Sequence, residues 1–347
     1  MRQDTNYAYA VGRIKVMENR LLSQSDFDTL IEADDNAFFA LLASCGYPDP
    51  RKETDGVAED QNDLLRAYSD SLSAFFADCV REIIYFAPEP DVLSIFLLPA
   101  DYNNIKTCLK YLAAVKEPDG SGIAERLVKN GNVPPDVIWD AIRQKNYSAL
   151  PVGTGKAIAE AREELSKTGS GRNSDIILDR ACFDQLCSAA ARSSFHTRRF
   201  MGRYLEIYAD WKNILSALRI RESGNDIELF RKAYLRGSLP ADHFVPVFTK
   251  GFSGLENTPY LESVKEAHGR RSYTEGMPDL NELEKIADDC LADYLLAGRT
   301  EAFRINALTA YVAARQREIT NVRMIIAGKR GGLPPESIRL LLRKTVN

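Results

Sequence analysis

The sequence predicts an all-α protein. Apolar residues recur at every third or fourth position over long stretches, which is the spacing of a helix face. No segment of useful length shows the alternation or the β-branched runs that are typical of strands. The chain has 347 residues. Because a single core rarely grows beyond about 250–300 residues, we expect more than one packed unit.

The longest apolar stripes place individual helices. The stripe from Leu64 to Ile84 predicts one continuous helix, and the stripe from Leu280 to Leu295 predicts another. We expect Gly298 to end the second helix and Thr300 to cap the next one, which would run through Phe303. Four stretches rich in glycine and proline are expected to be loops: 48–50, 118–120, 169–171 and 251–254.

Composition excludes several classes of protein. The chain carries 45 Lys and Arg against 49 Asp and Glu, a net charge of −4, which disfavours a dedicated nucleic-acid binder. No apolar stretch approaches the ~20 residues of a membrane-spanning helix, and the N-terminus lacks a signal-peptide pattern. The six scattered cysteines fit reduced core residues, so we expect a cytoplasmic protein without nucleic-acid partners.

A short motif recurs three times along the chain. It consists of an acid, two variable residues, an asparagine and a β-branched residue. The acids and asparagines are Asp101 and Asn104, Asp210 and Asn213, and Glu318 and Asn321. The three asparagines lie 109 and 108 residues apart. Such even spacing predicts an internal triplication.

Each motif is followed by a turn in which a glycine ends one helix and a proline begins the next. These turns are 131–136, 237–242 and 331–336. An acid after the proline lies at the positive end of the new helix. The last turn is too near the C-terminus to begin another unit. We therefore expect a final helix, from about Pro334 to Val346, to pack against the N-terminal unit.

These repeats predict three similar helical units: residues 1–116 with 331–347 packed back on them, 117–224, and 225–330. Joined ends indicate a closed body with pseudo-threefold symmetry. The acid and asparagine of each motif share one helix face. We interpret them as structural groups that satisfy backbone at a helix junction, and the alternative is a ligand contact that is repeated three times.

The opening segment 6–14, the three acid-x-x-Asn-Ile/Val motifs and the glycine–proline turns together resemble the C subunit of the V-type (A/V-type) ATPases, whose eukaryotic counterpart is the d subunit. The third motif departs from the pattern by having Glu318 in place of aspartate. The resemblance covers essentially the whole chain and implies a funnel-shaped, all-helical body of three units.

The resemblance also implies a function. The chain would be a non-catalytic central-stalk subunit that couples the rotating axle, made of the D and F subunits, to the membrane proteolipid (c/K) ring during ATP-driven transport of H⁺ or Na⁺. It would be a single peripheral subunit at the cytoplasmic face of the membrane. It would bind no nucleotide, cofactor or metal ion itself.

Basic residues recur on the helix after each motif: Lys106, Lys110, Arg219, Arg221, Arg323 and Lys329. If these helices line a socket, their charges can meet acidic groups of the axle or lipid headgroups. The alternative is that they are solvated residues at helix ends, where the macrodipole favours cations.

Other motifs carry weaker signals. Segment 150–157 lacks the first glycine and the hydroxyl residue of a phosphate loop, and it is interpreted as a helix start. Asp289 and Asp293 could share a helix face and bind magnesium, as in a magnesium-dependent all-α enzyme. A solvated acidic helix face explains them better. A basic-aromatic cluster at 198–204 fits a helix face or salt-bridge partners better than an RNA contact.

The alternative function for the whole chain is a helical scaffold that recruits partners without a rotary role.

Overall fold

The regular elements of the protein are all helical over the residues that its computed structural model describes, which are 6–49, 61–116, 118, 120–224, 226–271, 279–301 and 303–343. This confirms the predicted fold class. The chain divides into two compact units. Unit 1 comprises residues 1–97, 128–131 and 295–347, and unit 2 comprises residues 98–127 and 132–294. The division into three units at 1–116, 117–224 and 225–330 stays a prediction.

The first part of unit 1 contains α1 (Asn6–Glu18), α2 (Gln24–Glu32), α3 (Asp35–Ser44), α4 (Gln61–Phe86) and α5 (Pro90–Leu93). Ser23 begins α2 with a capping box, because its hydroxyl accepts from the Asp26 N–H while the Asp26 carboxylate accepts from the Ser23 N–H. The predicted stripe from Leu64 to Ile84 lies within α4.

Unit 2 contains a longer series of helices. They are α6 (Leu98–Ala114), α7 (Gly120–Ala124), α8 (Pro135–Gln144), α9 (Thr154–Thr168), α10 (Gly171–Ala191), α11 (Phe195–Glu222), α12 (Ile227–Ala233), α13 (Val245–Lys250), α14 (Leu261–Arg271) and α15 (Leu280–Ala297), whose last three residues belong to unit 1. Its core gathers residues of α11 to α15, with Trp211, Phe230 and Phe244 fully buried among them.

The chain then returns to unit 1 with α16 (Ile305–Arg330) and α17 (Pro335–Leu341). The core of unit 1 joins Phe27 and Leu30 from α2 with Ile319 and Val322 from α16, although almost 300 residues separate them in the sequence. Helix α17 packs on α16 and α2, and Arg339 donates to the carboxylates of Asp28 (3.2 Å) and Glu32 (2.6 Å).

Several expected boundaries differ in the structure. Thr300 does not cap a helix, because residues 298–300 form a short 3-10 turn and α16 begins at Ile305. Phe303 has a φ of +67°, a left-handed backbone that a helix cannot pass through. The expected loop at 251–254 is a 3-10 helix over Gly251–Asn257.

Other expected boundaries are found or lie partly outside the described residues. The glycines at 169–171 do separate two helices: α9 ends at a Gly169 with φ +65°, and α10 begins at Gly171. The final helix ends at Leu341 rather than at Val346, and residues 344–347 lie outside the described residues. The expected loops at 48–50 and 118–120 also include such residues.

Candidate functional site: the acid and asparagine motifs

The second motif shows what its asparagine does. Asn213 lies on α11 and is buried. Its side-chain Nδ2 donates to the carbonyl oxygen of Leu235 at 2.7 Å, and the N–H of Leu235 donates to its Oδ1 at 2.8 Å. One amide therefore satisfies both backbone groups of a residue that follows the end of α12. Buried backbone groups need such partners because leaving them unpaired is costly.

The third motif repeats this geometry in unit 1. Asn321 lies on α16 and is buried. Its Nδ2 donates to the carbonyl oxygen of Arg343 and its Oδ1 accepts from the Arg343 N–H, both at 2.9 Å. In both motifs the clamped residue lies 22 positions after the asparagine.

Asn104, in the first motif, is fully buried on α6. A short helix ends 20 residues after each of the three asparagines, and these helices are α7, α12 and α17. The three motifs thus share a common layout of a long helix, a buried asparagine and a returning short helix.

The acids of the first two motifs hold the glycine turns that follow. Asp101 accepts from the Val133 N–H at 3.0 Å and from Asn132 Nδ2 at 3.1 Å. Asp210 accepts from the Leu239 N–H at 3.3 Å and from the Ser238 hydroxyl. Equivalent positions of the two turns are therefore bound by equivalent acids.

The second turn needs a glycine for a steric reason. A Cβ atom at Gly237 would lie 2.1 Å from Asp210 Oδ1, well inside contact distance. The same carboxylate also accepts from the Tyr260 hydroxyl at 2.9 Å. Tyr260 lies 50 residues away in the sequence, and no local pattern indicates this contact.

The third acid differs, because its partners come from the N-terminal part of the chain. Glu318 accepts from the Tyr47 hydroxyl and from Arg315 Nη1 at 2.7 Å, and the nearby backbone N–H of Leu22 favours its charged form. Leu22 immediately precedes the capping residue of α2, as Val133 and Leu239 precede the prolines of their turns. The N-terminal segment thus occupies the place that a following turn occupies in the first two motifs.

This contact changes the interpretation of the third glycine turn. Residues 331–336 lie directly after α16 and begin α17, the short helix that corresponds to α7 and α12. The turn at 331–336 is therefore not equivalent in position to the turns at 131–136 and 237–242, despite their similar sequences. In all three turns the proline caps the start of the next helix, but only Gly331 ends a helix, because α7 ends at Ala124 and α12 at Ala233, before Gly131 and Gly237 are reached.

Glu318 belongs to a buried charged cluster that the motif alone does not reveal. Arg315 also donates to the Tyr311 hydroxyl at 3.0 Å, and its guanidinium lies 5.5–5.7 Å from the ring centres of Tyr47, Phe75 and Tyr311. Burial raises the pKa of Glu318, although Arg315 favours its charged form. The opposite charges of Arg315 and Glu318 at i and i+3 on one helix were the available sequence signal for this pair.

These contacts fit the structural interpretation of the motifs. The side-chain amides of Asn213 and Asn321 each bind a backbone carbonyl through Nδ2 and a backbone N–H through Oδ1. The three motif acids accept hydrogen bonds from groups of their own unit. The arrangement can hold helix junctions in place. The alternative, a ligand contact that is repeated three times, has no geometric support in the second and third motifs.

Most of the predicted partner-contact cations are held within their own unit. Lys106 and Lys110 on α6 pair with Asp179 and Asp175 on α10, at 2.5 and 2.6 Å. The remaining bonds run from Arg219 to Glu284, from Arg323 to the Ser73 hydroxyl (2.6 Å) and from Lys329 to the Ala33 carbonyl (2.6 Å). Arg221 is exposed and makes no ion pair in the part of the chain that the structure describes.

Other chemical candidates are placed as follows. Segment 150–157 spans the start of α9, with Gly153 at its N-cap. Asp289 and Asp293 lie on α15. Over the described ranges, no three His, Cys, Asp or Glu side chains are grouped so that they could hold a metal ion. Over the same ranges, no helix combines the length and the apolar character that crossing a bilayer requires.

Comparison with known proteins gives a consistent result. A model of the ATP synthase (C/AC39) subunit family matches residues 10–341. The chain is 22% identical to the C subunit of the A-type ATP synthase of Haloquadratum walsbyi, over 96% of this chain and 97% of that protein. It is 24% identical to the C subunit of the V-type sodium ATPase of Enterococcus hirae, over 95% of this chain and 96% of that protein.

Proposed function

The chain belongs to the ATP synthase (C/AC39) subunit family, and from this membership we propose that it is a non-catalytic central-stalk subunit of a rotary A/V-type ATPase. It couples the rotating axle, made of the D and F subunits, to the membrane proteolipid ring, so that ATP hydrolysis drives the transport of H⁺ or Na⁺. The observation that carries the proposal is the family match over residues 10–341, together with relatives that are named as C subunits of such complexes and that match along nearly their whole length.

The described architecture supports a mechanical role. Helices α4, α11 and α16 have 26, 28 and 26 residues. At about 1.5 Å per residue each is a rod of roughly 40 Å. The acid and asparagine motifs fix short helices and turns to two of these rods and to α6. A part that transmits torque needs such stiffness, and it needs no reactive group.

In this proposal the chain is a peripheral subunit at the cytoplasmic face of the membrane and reaches the ring by protein contacts. A closed, funnel-shaped arrangement of three units would present similar surfaces to a ring of identical subunits, and it stays part of the proposal. Of the six predicted contact cations, Arg221 is the first to test, because it makes no ion pair with any residue that the structure describes.

The proposal is tested on the native complex. An affinity tag on this chain should recover the ATPase subunits and the proteolipid from detergent-solubilised membranes. Membranes from a strain that lacks the chain should release their ATPase activity into the soluble fraction and should lose ATP-driven ion uptake.

Two outcomes would contradict the coupling role. One is ion uptake that persists at its normal rate without the chain. The other is a tagged chain that recovers soluble proteins but no proteolipid, which would favour the helical scaffold without a rotary role. In the same pull-down, Arg221→Glu should weaken recovery of the D and F subunits, whereas Arg143→Glu, at an exposed position paired with Asp140, should leave it unchanged.

A further inference from the structure

A basic surface that the proposed coupling does not use lies where α10 meets α11 in unit 2. It consists of Arg192, in the turn between the two helices, and of Phe195, Arg198 and Arg199 in the first turns of α11. We call it the arginine surface. All four side chains are exposed.

The helix itself points these side chains outward. Thr197, Met201 and Leu205 are at most 2% exposed and mark the buried side of α11. Residues three and four apart share a helix face, so Phe195, Arg198 and Arg199 lie together on the other side. Arg192 adds a further cation just before this face begins.

Within the described ranges, no acidic side chain pairs with the arginine surface. No Asp or Glu occurs between Asp184 and Glu206 in the sequence. Arg192, Arg198 and Arg199 form no ion pair with any residue in the described ranges. One turn later, Arg203 does pair with Glu206, at 2.9 Å. A concentrated positive surface therefore stands out on a chain whose net charge is −4.

An exposed aromatic ring lies at the centre of these charges. The side chain of Phe195 is 63% exposed. The Arg198 guanidinium lies 6.0 Å from the centre of its ring, at the outer limit of a cation–π contact. An apolar ring among unpaired arginines is the composition of surfaces that bind membrane interfaces, where rings enter the boundary layer and cations meet the headgroups.

We propose that the arginine surface binds anionic lipid headgroups, with the Phe195 ring inserted at the boundary between headgroups and acyl chains. An acidic protein segment would satisfy the arginines equally well. The exposed ring favours the membrane as the partner, because the membrane interface offers an anionic layer directly above an apolar one. The inference concerns one surface of unit 2 and does not depend on the proposed rotary role.

The test is co-sedimentation of the full chain with vesicles. Vesicles of phosphatidylcholine alone are compared with vesicles that also contain phosphatidylglycerol, at low and moderate salt. The chain should bind the anionic vesicles and not the neutral ones. A single cation near an anionic surface contributes about fivefold to binding, so R192Q/R198Q/R199Q should weaken it on the order of a hundredfold.

A matched variant controls for net charge. R143Q/K156Q/K167Q removes three exposed cations from α8 and α9, each of which pairs with an acid of its own helix. It should bind anionic vesicles as the unchanged chain does. F195S should weaken binding at moderate salt, where screening reduces the contribution of the arginines but not that of the ring. Circular dichroism confirms that each variant is folded.

Three results would overturn the proposal: equal binding to neutral and anionic vesicles, equal losses in the two triple variants, or unchanged vesicle binding in R192Q/R198Q/R199Q. If that last variant instead loses ATPase subunits from a pull-down, the arginine surface is a protein contact. Failure of the vesicle test leaves the coupling role intact, because coupling is measured by ion uptake.

Discussion

At the scale of single residues, the recurring asparagine is best understood as a backbone clamp. Asn213 and Asn321 each offer a donor and an acceptor to both peptide groups of one distant residue. An aspartate or a leucine of similar size cannot do this, because the first lacks the donor and the second lacks both groups. The requirement for both groups gives a physical reason for the same residue type at this position in the second and third motifs.

Asn213→Leu should destabilise the protein by about 2–5 kcal/mol, because it leaves the N–H and the carbonyl of Leu235 buried without partners. Urea unfolding of the full chain, followed by circular dichroism, measures this loss. Asn103→Ala is the matched control, since Asn103 is an exposed asparagine on α6 and its loss should cost less than about 0.5 kcal/mol. Similar unfolding free energies for the two variants would show that the clamp contributes nothing.

At the scale of elements, α16 is unusual in being buried on nearly all sides. Every residue from Ile305 to Arg315 is buried, and so are Arg317 and Glu318. Because the charged side chains of α16 are buried away from water, they need partners of opposite charge close by. The ion pair of Arg315 and Glu318, closed by two tyrosine hydroxyls, does so and also fixes α16 to the N-terminal segment.

Arg315→Met should cost about 3–5 kcal/mol of folding free energy, because it leaves the Glu318 carboxylate buried without its main counter-charge. Arg315→Met/Glu318→Leu should recover much of that loss, since no unpaired charge remains. Urea unfolding of both variants measures the two values.

The control for this prediction is Arg304→Met. Arg304 forms an exposed pair with Glu301 at 3.4 Å, and its loss should cost less than about 1 kcal/mol. A double variant that is no more stable than Arg315→Met would mean that the cost comes from lost packing rather than from the buried charge.

At the scale of the whole molecule, unit 1 is assembled from both ends of the sequence, and unit 2 is inserted between them. Helix α16 packs on α1, α2 and α4, and α17 packs on α2. When α16 packs on α2, the chain between them is closed into a loop of almost 300 residues. Its cost rises only slowly with length, and the shared apolar core offsets it.

Unit 2 buries groups that must stay protonated, which predicts a loss of stability at alkaline pH. Burial raises the pKa of the Cys108 and Cys182 thiols from 9.0 to about 12, and it raises the pKa of Tyr204 and Tyr208. In the unfolded chain these groups lose their protons near their ordinary pKa values. The unfolded state then binds fewer protons than the folded state, so stability falls as pH rises.

The unfolding free energy of the reduced chain should be constant from pH 7 to about 8.5 and should decrease steadily above about 9. Urea titrations at several pH values measure it. Cys108→Ala should reduce the slope between about pH 9 and 10, below the ordinary pKa of tyrosine. A free energy that does not change up to about pH 10.5 would contradict the prediction.

The residue pattern alone gave much of the fold and part of the site. Helical periodicity placed α4 and α15, and the repeated spacing located the acids and asparagines. It could not assign partners to Glu318, because Tyr47 and Leu22 lie 271 and 296 residues away. It also made the third glycine turn equivalent to the first two, since a turn's sequence records its local geometry and not its place in the fold.

The sequence by itself determined the helices, the three motifs and membership of the ATP synthase (C/AC39) subunit family, because periodicity, spacing and overall similarity are properties of the chain order. Only the tertiary structure decided which groups the motifs bind, and which cations are already paired within their units. Those outcomes depend on contacts between residues far apart in the chain, and such contacts form only when buried polar groups and apolar faces are satisfied together.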